Sequence, residues 1–477
     1  MTTDFASGEQ AVPSPGYDRD RLTTGIVHFG LGNFHRAHQA LFVDRLMNLG
    51  EGFDWGICGV GVLAADAHMR DVLRGQDFLY TLVEKDADGS VEPRVIGSIH
   101  EFLFAPDDPG AVIEKLAAES TRIVSLTITE GGYAPPSNLT PADVQVPPTV
   151  FDLIAAGLSA RRDRGIPPFT IMSCDNIPSN GSIARAAVLR AATDPGLAAW
   201  IADTTRFPNS MVDRITPATT DADRALVREG YGLIDAWPVV CEPYLQWVLE
   251  DDFPLGRPAF EKVGVQLVND VEPYELMKLR LLNASHQAMA YFGHLMGYRL
   301  AHDAATDPLI RELLRRYMDE ASPTLRPVPG IDLAEYKRTL LKRFANPAIR
   351  DTIARLAADT SHRIPTWLVP VIEENLAADH SVTVSAAIVA SWARYAEGAD
   401  ETGDPIQVVD AVAEALGQIA RQYPFTPEAF VDNEALFGRI AAHPEFLRPY
   451  PTVLADLHKV GARQSLERLL KGSGATA

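Results

Sequence analysis

The segment Pro273-Tyr-Glu-Leu-Met-Lys278-Leu-Arg-Leu-Leu-Asn283-Ala-Ser-His286 places an amine, an amide, an imidazole and the Glu275 carboxylate within four turns of chain. Pro273 suits a first helical turn and Glu275 an early one. At ~100° per residue, with Lys278 at 0°, Glu275 falls near ~60°, His286 near ~80° and Asn283 near ~140°. Met277, Leu281, Ala284, Ala288 and Phe292 fall on the other side, where they can pack. Oxidising a secondary alcohol by hydride transfer needs a base for the hydroxyl proton and donors for the developing alkoxide. A desolvated lysine can be that base, and amide and imidazole N–H groups can be the donors. Lys278 as base, Asn283 as donor and His286 as orienting group form a coherent set. The alternative is a helix whose polar face meets solvent.

Something must present such a helix. Before residue 271 strands and helices alternate: Ile26–Phe29, Trp55–Val62, Ile123–Thr129 and Pro168–Ser173 read as strands. Phe34–Leu49, Ala64–Leu73, Ala111–Glu119 and Val150–Arg164 read as helices, and Leu79–Glu84 with Pro93–Ile99 as an antiparallel ribbon about an Asp86–Gly89 turn. That alternation predicts a mainly parallel, doubly wound sheet of Rossmann type. From 271 onward long helical patterns dominate: Tyr274–Met296, Pro308–Ala321, Asp332–Phe344, Ser381–Glu397 and Ile406–Tyr423. The expected organisation is an α/β domain over 1–270 and a mostly α-helical one over 271–477, with the active site in the cleft between them.

The first domain opens with Ile26-Val-His-Phe-Gly30-Leu-Gly32-Asn33-Phe34-His35, a strand, a GxG turn and a helix start. Gly30 and Gly32 allow a tight turn and close approach to a pyrophosphate, and the helix N-terminus at Asn33 and Phe34 offers free N–H groups. His35 stands where the usual third glycine would be, and an ordinary tight turn is the alternative. Asp66, just past the second strand, suits a ribose 2′-hydroxyl and repels a 2′-phosphate, which favours NAD over NADP. It equally suits a helix N-cap. His28, His35 and His38 lack a further ligand at suitable spacing, so no metal is expected there.

Composition narrows the field. With 477 residues, 46% of them hydrophobic and 22% charged, the chain can bury a sizeable core in two or three domains. A net charge of −20 argues against a nucleic-acid partner. Cys58, Cys174 and Cys241 form no CxxC pair, which fits a reducing cytosol and excludes a disulfide framework or thiolate zinc site. The acidic N-terminus lacks the apolar stretch of a signal peptide, and no run approaches the ~18 apolar residues of a membrane helix. A cytoplasmic monomer or small homo-oligomer is expected.

HFGLGNFHRAHQA (28–40), SLTITEGGY (125–133), MSCDNIPSNG (172–181), FPNSMVDRITP (207–217), AWPVVCEPYLQWVLED (236–251) and Lys278-x4-Asn283-x2-His286 together resemble the polyol-specific long-chain dehydrogenases, and among them the mannitol 2-dehydrogenases. The resemblance runs over nearly the whole chain. It implies metal-independent, NAD-linked interconversion of mannitol and fructose, with arabinitol and sorbitol often accepted. It also implies roles for further residues. Asn176 matches a second oxyanion-hole amide beside Asn283, and Asp213 a substrate-contacting acid. Glu130 matches a carboxylate passing the lysine's proton towards water, and Arg355 and Arg363 match residues holding the polyol chain. Each has a plainer alternative: a turn residue for Asn176, a surface ion pair with Arg214 for Asp213, a cap on the Gly131-Gly132 turn for Glu130, and solvated charges for the two arginines. The family's mannitol enzymes tend to carry lysine where Arg363 stands, and arginine brings a planar fork in place of a point charge.

That departure keeps a hexuronate reductase (fructuronate or tagaturonate) as the nearest rival, because an additional cation would meet the substrate carboxylate. An inactive NAD-binding sensor is the rival of another class; its mark would be a broken lysine–asparagine–histidine set, and the set is whole. A hydrolase would show a Gly-x-Ser-x-Gly or His-Glu-x-x-His motif, and neither is present.

Overall fold

A computed structural model describes residues 12–133 and 148–472, apart from the side chain of Glu130. The chain divides into two compact units, Met1–Glu272 and Pro273–Ala477.

The strands of the first unit are β1 (Thr24–Phe29), β2 (Gly56–Gly61), β3 (Tyr80–Lys85), β4 (Val91–Ile96), β5 (Ile99–Phe104), β6 (Ile123–Leu126), β7 (Thr170–Ser173), β8 (Ser210–Asp213), β9 (Val239–Cys241), β10 (Gln246–Glu250) and β11 (Gln266–Val268). Five form one sheet in the order β5-β2-β1-β6-β7, parallel throughout. Period-two alternation explains why. Ile26, Ile57, Ile123 and Met172 enter one apolar cluster, while Val27, Phe29, Cys58, Val60, Val124, Leu126 and Ile171 enter another. Both faces are covered, so these strands read as unbroken apolar runs, as buried parallel strands do. This is the doubly wound, Rossmann-type arrangement.

The connecting helices begin where the sequence supplies caps. Asp108 accepts the N–H of Ala111 at the start of Pro109–Ala117, and Thr149 with Asp152 forms a capping box for Val150–Asp163. The ribbon of β3 and β4 is antiparallel as expected, but it belongs to a separate sheet in which β3 also pairs with β9 in parallel. β8, β10 and β11 make a third small sheet.

Two helices differ from expectation. Phe34–Leu49 is divided into Asn33–Ala37 and Gln39–Asn48 at His38, whose φ and ψ are −124° and −95°. The fully buried His38 ring lies between Phe34, Phe42 and Trp247, and its Nε2 meets the carbonyl of Gln246 at 3.1 Å. Tertiary packing there overrides helical propensity. Ile406–Tyr423 contracts to Ala413–Ala420.

The second unit is helical; its β-bridges among the described residues are the isolated pairs Leu300–Thr352 and Ala399–Pro405. Pro308–Ala321 and Leu333–Phe344 start at Asp307 and Asp332, whose carboxylates cap the first turns. Thr383–Ala396 is buried along most of its length and shares one core with Ala284–Leu295 and Pro449–Gly472.

Candidate active site

In the first unit β1 runs into Gly30, whose φ is +90° and whose added Cβ would lie 2.1 Å from the Thr127 carbonyl oxygen. Only glycine fits. Gly32 is the N-cap of Asn33–Ala37, and a Cβ there would meet nothing nearer than the Gly30 carbonyl at 3.9 Å. Gly30 thus serves the sheet, and Gly32 leaves open space beside the helix start, a cradle in which a pyrophosphate fits. His28 braces the turn: Nδ1 lies 2.8 Å from Ser125 Oγ, and Nε2 lies 2.9 Å from Thr127 Oγ1 and 3.2 Å from the Gly30 carbonyl. The His35 ring stacks on it with centroids 3.4 Å apart. Burial pushes His28 down to about 3 and His35 well below the usual imidazole range, so both rings are neutral packing units. Asn33 spends its amide on Pro217, Thr219 and Arg36, which leaves its main chain for a ligand. Phe34 is half-buried against His38.

Asp66 is the first residue of Asp66–Gly75; its N-cap is Ala65, so the N-cap alternative for Asp66 is replaced. One oxygen, Oδ2, accepts the N–H groups of Val62 and Leu63, both at 2.9 Å. Oδ1 could accept a ribose hydroxyl.

Asn176 follows β7 and is exposed. Its neighbour Asp175 reaches the loop after β6, where Glu130 stands; the Glu130 side chain lies outside the described residues. Asp213 ends β8 and is buried, not on the surface. The adjacent Arg214 bonds Glu84 and the carbonyls of Ala37 and Glu242.

The second unit carries the lysine segment as one helix with a widened turn: α-helix over Glu272–Met277, π-helix over Lys278–Asn283, α-helix over Ala284–Leu295. The N–H of Ala284 bonds the carbonyl of Leu279, five residues back. An i→i+5 turn contains one more residue than an α turn, so the uniform 100° spacing does not hold here, and Asn283 rotates back towards the Lys278 side. Met277, Leu281, Ala284, Ala288 and Phe292 are fully buried on the expected packing side. Lys278 is 8% exposed and Asn283 5%, so this polar group is withdrawn from water rather than solvated. The Oδ1 of Asn283 has no hydrogen-bond partner among the described residues, an uncommon state for a buried amide and one that a ligand would resolve. His286 is half-buried with its ring 4.8 Å from that of Phe344, and Glu275, one turn before Lys278, is also half-buried.

Arg355 and Arg363 come together with each other. Arg363 Nη1 donates to the carbonyls of Arg355 and Leu356 at 3.3 and 3.2 Å, and its guanidinium lies 5.5 Å from the Trp367 ring centroid. Arg355 forks onto Asp351, a buried carboxylate held below its usual range against the pull of burial by that arginine and by nearby His286. The same segment is tied to the lysine helix by Gln287, whose amide donates to the Leu356 carbonyl at 3.0 Å. Sequence reasoning passed over Asp175, inside MSCDNIPSNG, and Asp351, four residues before Arg355. Among the described residues no group of three or more His, Cys, Asp or Glu could hold a metal ion, and no helix is long and apolar enough to cross a membrane.

Residues 24–262 match the model of the mannitol dehydrogenase Rossmann domain, and residues 270–457 that of the mannitol dehydrogenase C-terminal domain. A mannitol 2-dehydrogenase of Aspergillus fumigatus is 43% identical over 98% of this chain and 97% of its own. Pseudomonas fluorescens mannitol 2-dehydrogenase, solved as a ternary complex with NAD and D-mannitol, superposes with a TM-score of 0.86 at 45% identity, covering 96% of this chain and 97% of that one. A substrate-free D-sorbitol dehydrogenase gives a TM-score of 0.86 at 34% identity, covering 95% and 97%.

Proposed function

The chain belongs to the mannitol dehydrogenase family, and from that membership we propose that it oxidises a polyol secondary alcohol with NAD, D-mannitol to D-fructose first, without a metal. The carrying observation is the withdrawal of Lys278 and Asn283 from water on a single widened turn. NAD, when bound, supplies the hydride acceptor. Gly32 and the main chain at Asn33 and Phe34, on the turn that Gly30 makes possible, would hold its pyrophosphate, and Asp66 its adenosine ribose.

Lys278 accepts the hydroxyl proton as the hydride leaves the same carbon. The base must be a neutral amine, the form that desolvation of a lysine can supply. Asn283 and Asn176 donate N–H to the oxygen as its charge grows, a contribution of about 10²–10³ in rate for one such donor. His286 orients the group. Asp213, Arg355 and Arg363 bind the remaining hydroxyls, and Glu130 receives the proton on its way to water.

Growth of reduced-cofactor absorbance with NAD over a panel of polyols tests this reading. Mannitol, arabinitol and sorbitol should respond, and chelator treatment should change nothing. Tight NAD binding with no turnover of any polyol or ketose would favour a sensor. Far faster turnover of fructuronate than of fructose would favour a hexuronate reductase, with Arg363 meeting the carboxylate. Activity lost to chelator and restored by zinc would overturn the metal-free mechanism.

A further inference from the structure

Asp175 immediately precedes Asn176 and is 7% exposed. Its carboxylate accepts the N–H of Thr129 at 2.8 Å, the N–H of Ile128 at 3.2 Å and the hydroxyl of Tyr133 at 2.6 Å. These donors come from the segment after β6, so one side chain fastens that loop to the loop after β7. Ser173 Oγ completes the cluster, 2.8 Å from the Tyr133 hydroxyl and accepting the Asp175 N–H at 3.3 Å.

The main chain of Asp175 is held from the other side as well. Asn180 Nδ2 donates to the Asp175 carbonyl at 3.1 Å and to the Ser210 carbonyl at 2.7 Å, while the Ser210 N–H returns a bond to Asn180 Oδ1 at 3.0 Å. Asn176 itself is exposed, and the residue immediately before it is held from both sides, by the segment after β6 and by Asn180, which also bonds β8.

Thr129 has φ of 63°. A β-branched residue enters that left-handed region only where its surroundings hold it, and such strain gathers at functional sites. The N–H of this strained residue is the one Asp175 binds at 2.8 Å.

We propose that Asp175 is a positioning residue, fixing the backbone from which Asn176 aims its amide and using the turn at Thr129 as its abutment. The proposal rests on the reading of Asn176 as a donor to the alkoxide. Burial pushes the Asp175 carboxyl upward, and the three donors oppose that by favouring the carboxylate. A carboxylate is the form that accepts all of them at once; a neutral amide in its place must turn an N–H towards one of these donors.

The test is a double-mutant cycle on the full chain with NAD and D-mannitol. Asp175→Asn should lower kcat about 10²-fold, the scale of a displaced donor, and leave the NADH Kd, read by fluorescence titration, within about twofold. In the Asn176→Ala background Asp175→Asn should cost little more, because residues acting as a unit are not additive. Additive losses, or an unchanged kcat in Asp175→Asn, overturn the positioning role and leave the reading of Asn176 intact. An unchanged kcat in Asn176→Ala removes that reading, and the positioning role with it. Should Asp175→Asn fail to fold, Tyr133→Phe keeps the carboxylate and removes one donor. Its expected loss of about tenfold should disappear in the Asn176→Ala background, and persistence there overturns the proposal.

Discussion

The hydroxyl of Tyr317 donates to the main-chain carbonyl of Arg280 at 2.9 Å, inside the widened turn that carries Lys278 and Asn283. A helix that passes from i→i+4 to i→i+5 bonding and back leaves a carbonyl short of its usual partner. Tyr317 is fully buried on Pro308–Ala321, and burial pushes its pKa well above the usual phenol range, so it remains a neutral donor. Tyr317→Phe should cost about 1–2 kcal/mol of stability and about tenfold in kcat through misplacement of the lysine. Denaturant unfolding and steady-state rates measure both. A stability loss with unchanged kcat would mean the turn keeps its shape without the hydroxyl.

Lys278→Ala removes the proposed base. The expected loss in kcat is about 10²–10⁴-fold, with NAD affinity preserved because the cradle stands on the other unit. A small primary amine added to the assay should restore part of the rate. Wild-type turnover in this variant would exclude lysine as the base.

Asp66→Asn keeps an oxygen for the Val62 and Leu63 N–H groups and removes the charge that would face a 2′-phosphate. The ratio of kcat/KM for NAD over NADP should fall about tenfold, the ~1.4 kcal/mol scale of one charge-assisted bond. An unchanged ratio would assign ribose discrimination to another group.

Stability should respond to pH with opposite signs at two places. His28 and His35 titrate far below the ~6.5 of an unfolded histidine. Below that value the unfolded chain binds protons that the folded chain refuses, so stability falls as pH drops from 7. His28 accounts for about 2 kcal/mol by pH 5, and His35 acts in the same direction. Glu320 caps the start of Thr383–Ala396 through the N–H groups of Val384 and Ser385, and burial raises it to about 7. The folded chain keeps that proton between pH 4.5 and 7 while the unfolded chain releases it, so stability falls as pH rises across that window. Between pH 5 and 7, His28→Asn should flatten the rise of Tm, and Glu320→Gln should steepen it. Slopes identical to wild type in both variants would refute the assignment.

The sheet was legible because buried parallel strands announce themselves as apolar runs: the reading Ile26–Phe29 falls two residues short of β1, and Ile123–Thr129 runs three residues past the end of β6. β5 was not, since Ile99–Phe104 carries His100 and Glu101 and directly follows the ribbon strand, so no break marked it. The short strands from β8 to β11 depend on partners distant in sequence, which local patterning does not reveal. At the lysine segment, residue types were legible and the packing side was correct, but the π turn was not. A uniform angular increment has no way to register an added residue in one turn. Asp175 escaped notice for a related reason: its importance lies in Thr129 and Tyr133, some 40 positions away, according to separations of 46 and 42 residues.

The π turn also makes this stretch depend on residue count as well as residue type. Removing a single residue such as Leu281 would let Glu272–Leu295 close into an unbroken α-helix, a more regular and locally less demanding element. Because the π turn already takes up that one extra residue, the side chains beyond the gap would keep nearly their present bearing, and the change would be confined to the turn that carries Lys278 and Asn283. The widened turn is thus a single inserted residue absorbed where it stands, and its cost in regular helix falls on the residues from Lys278 to Asn283 alone.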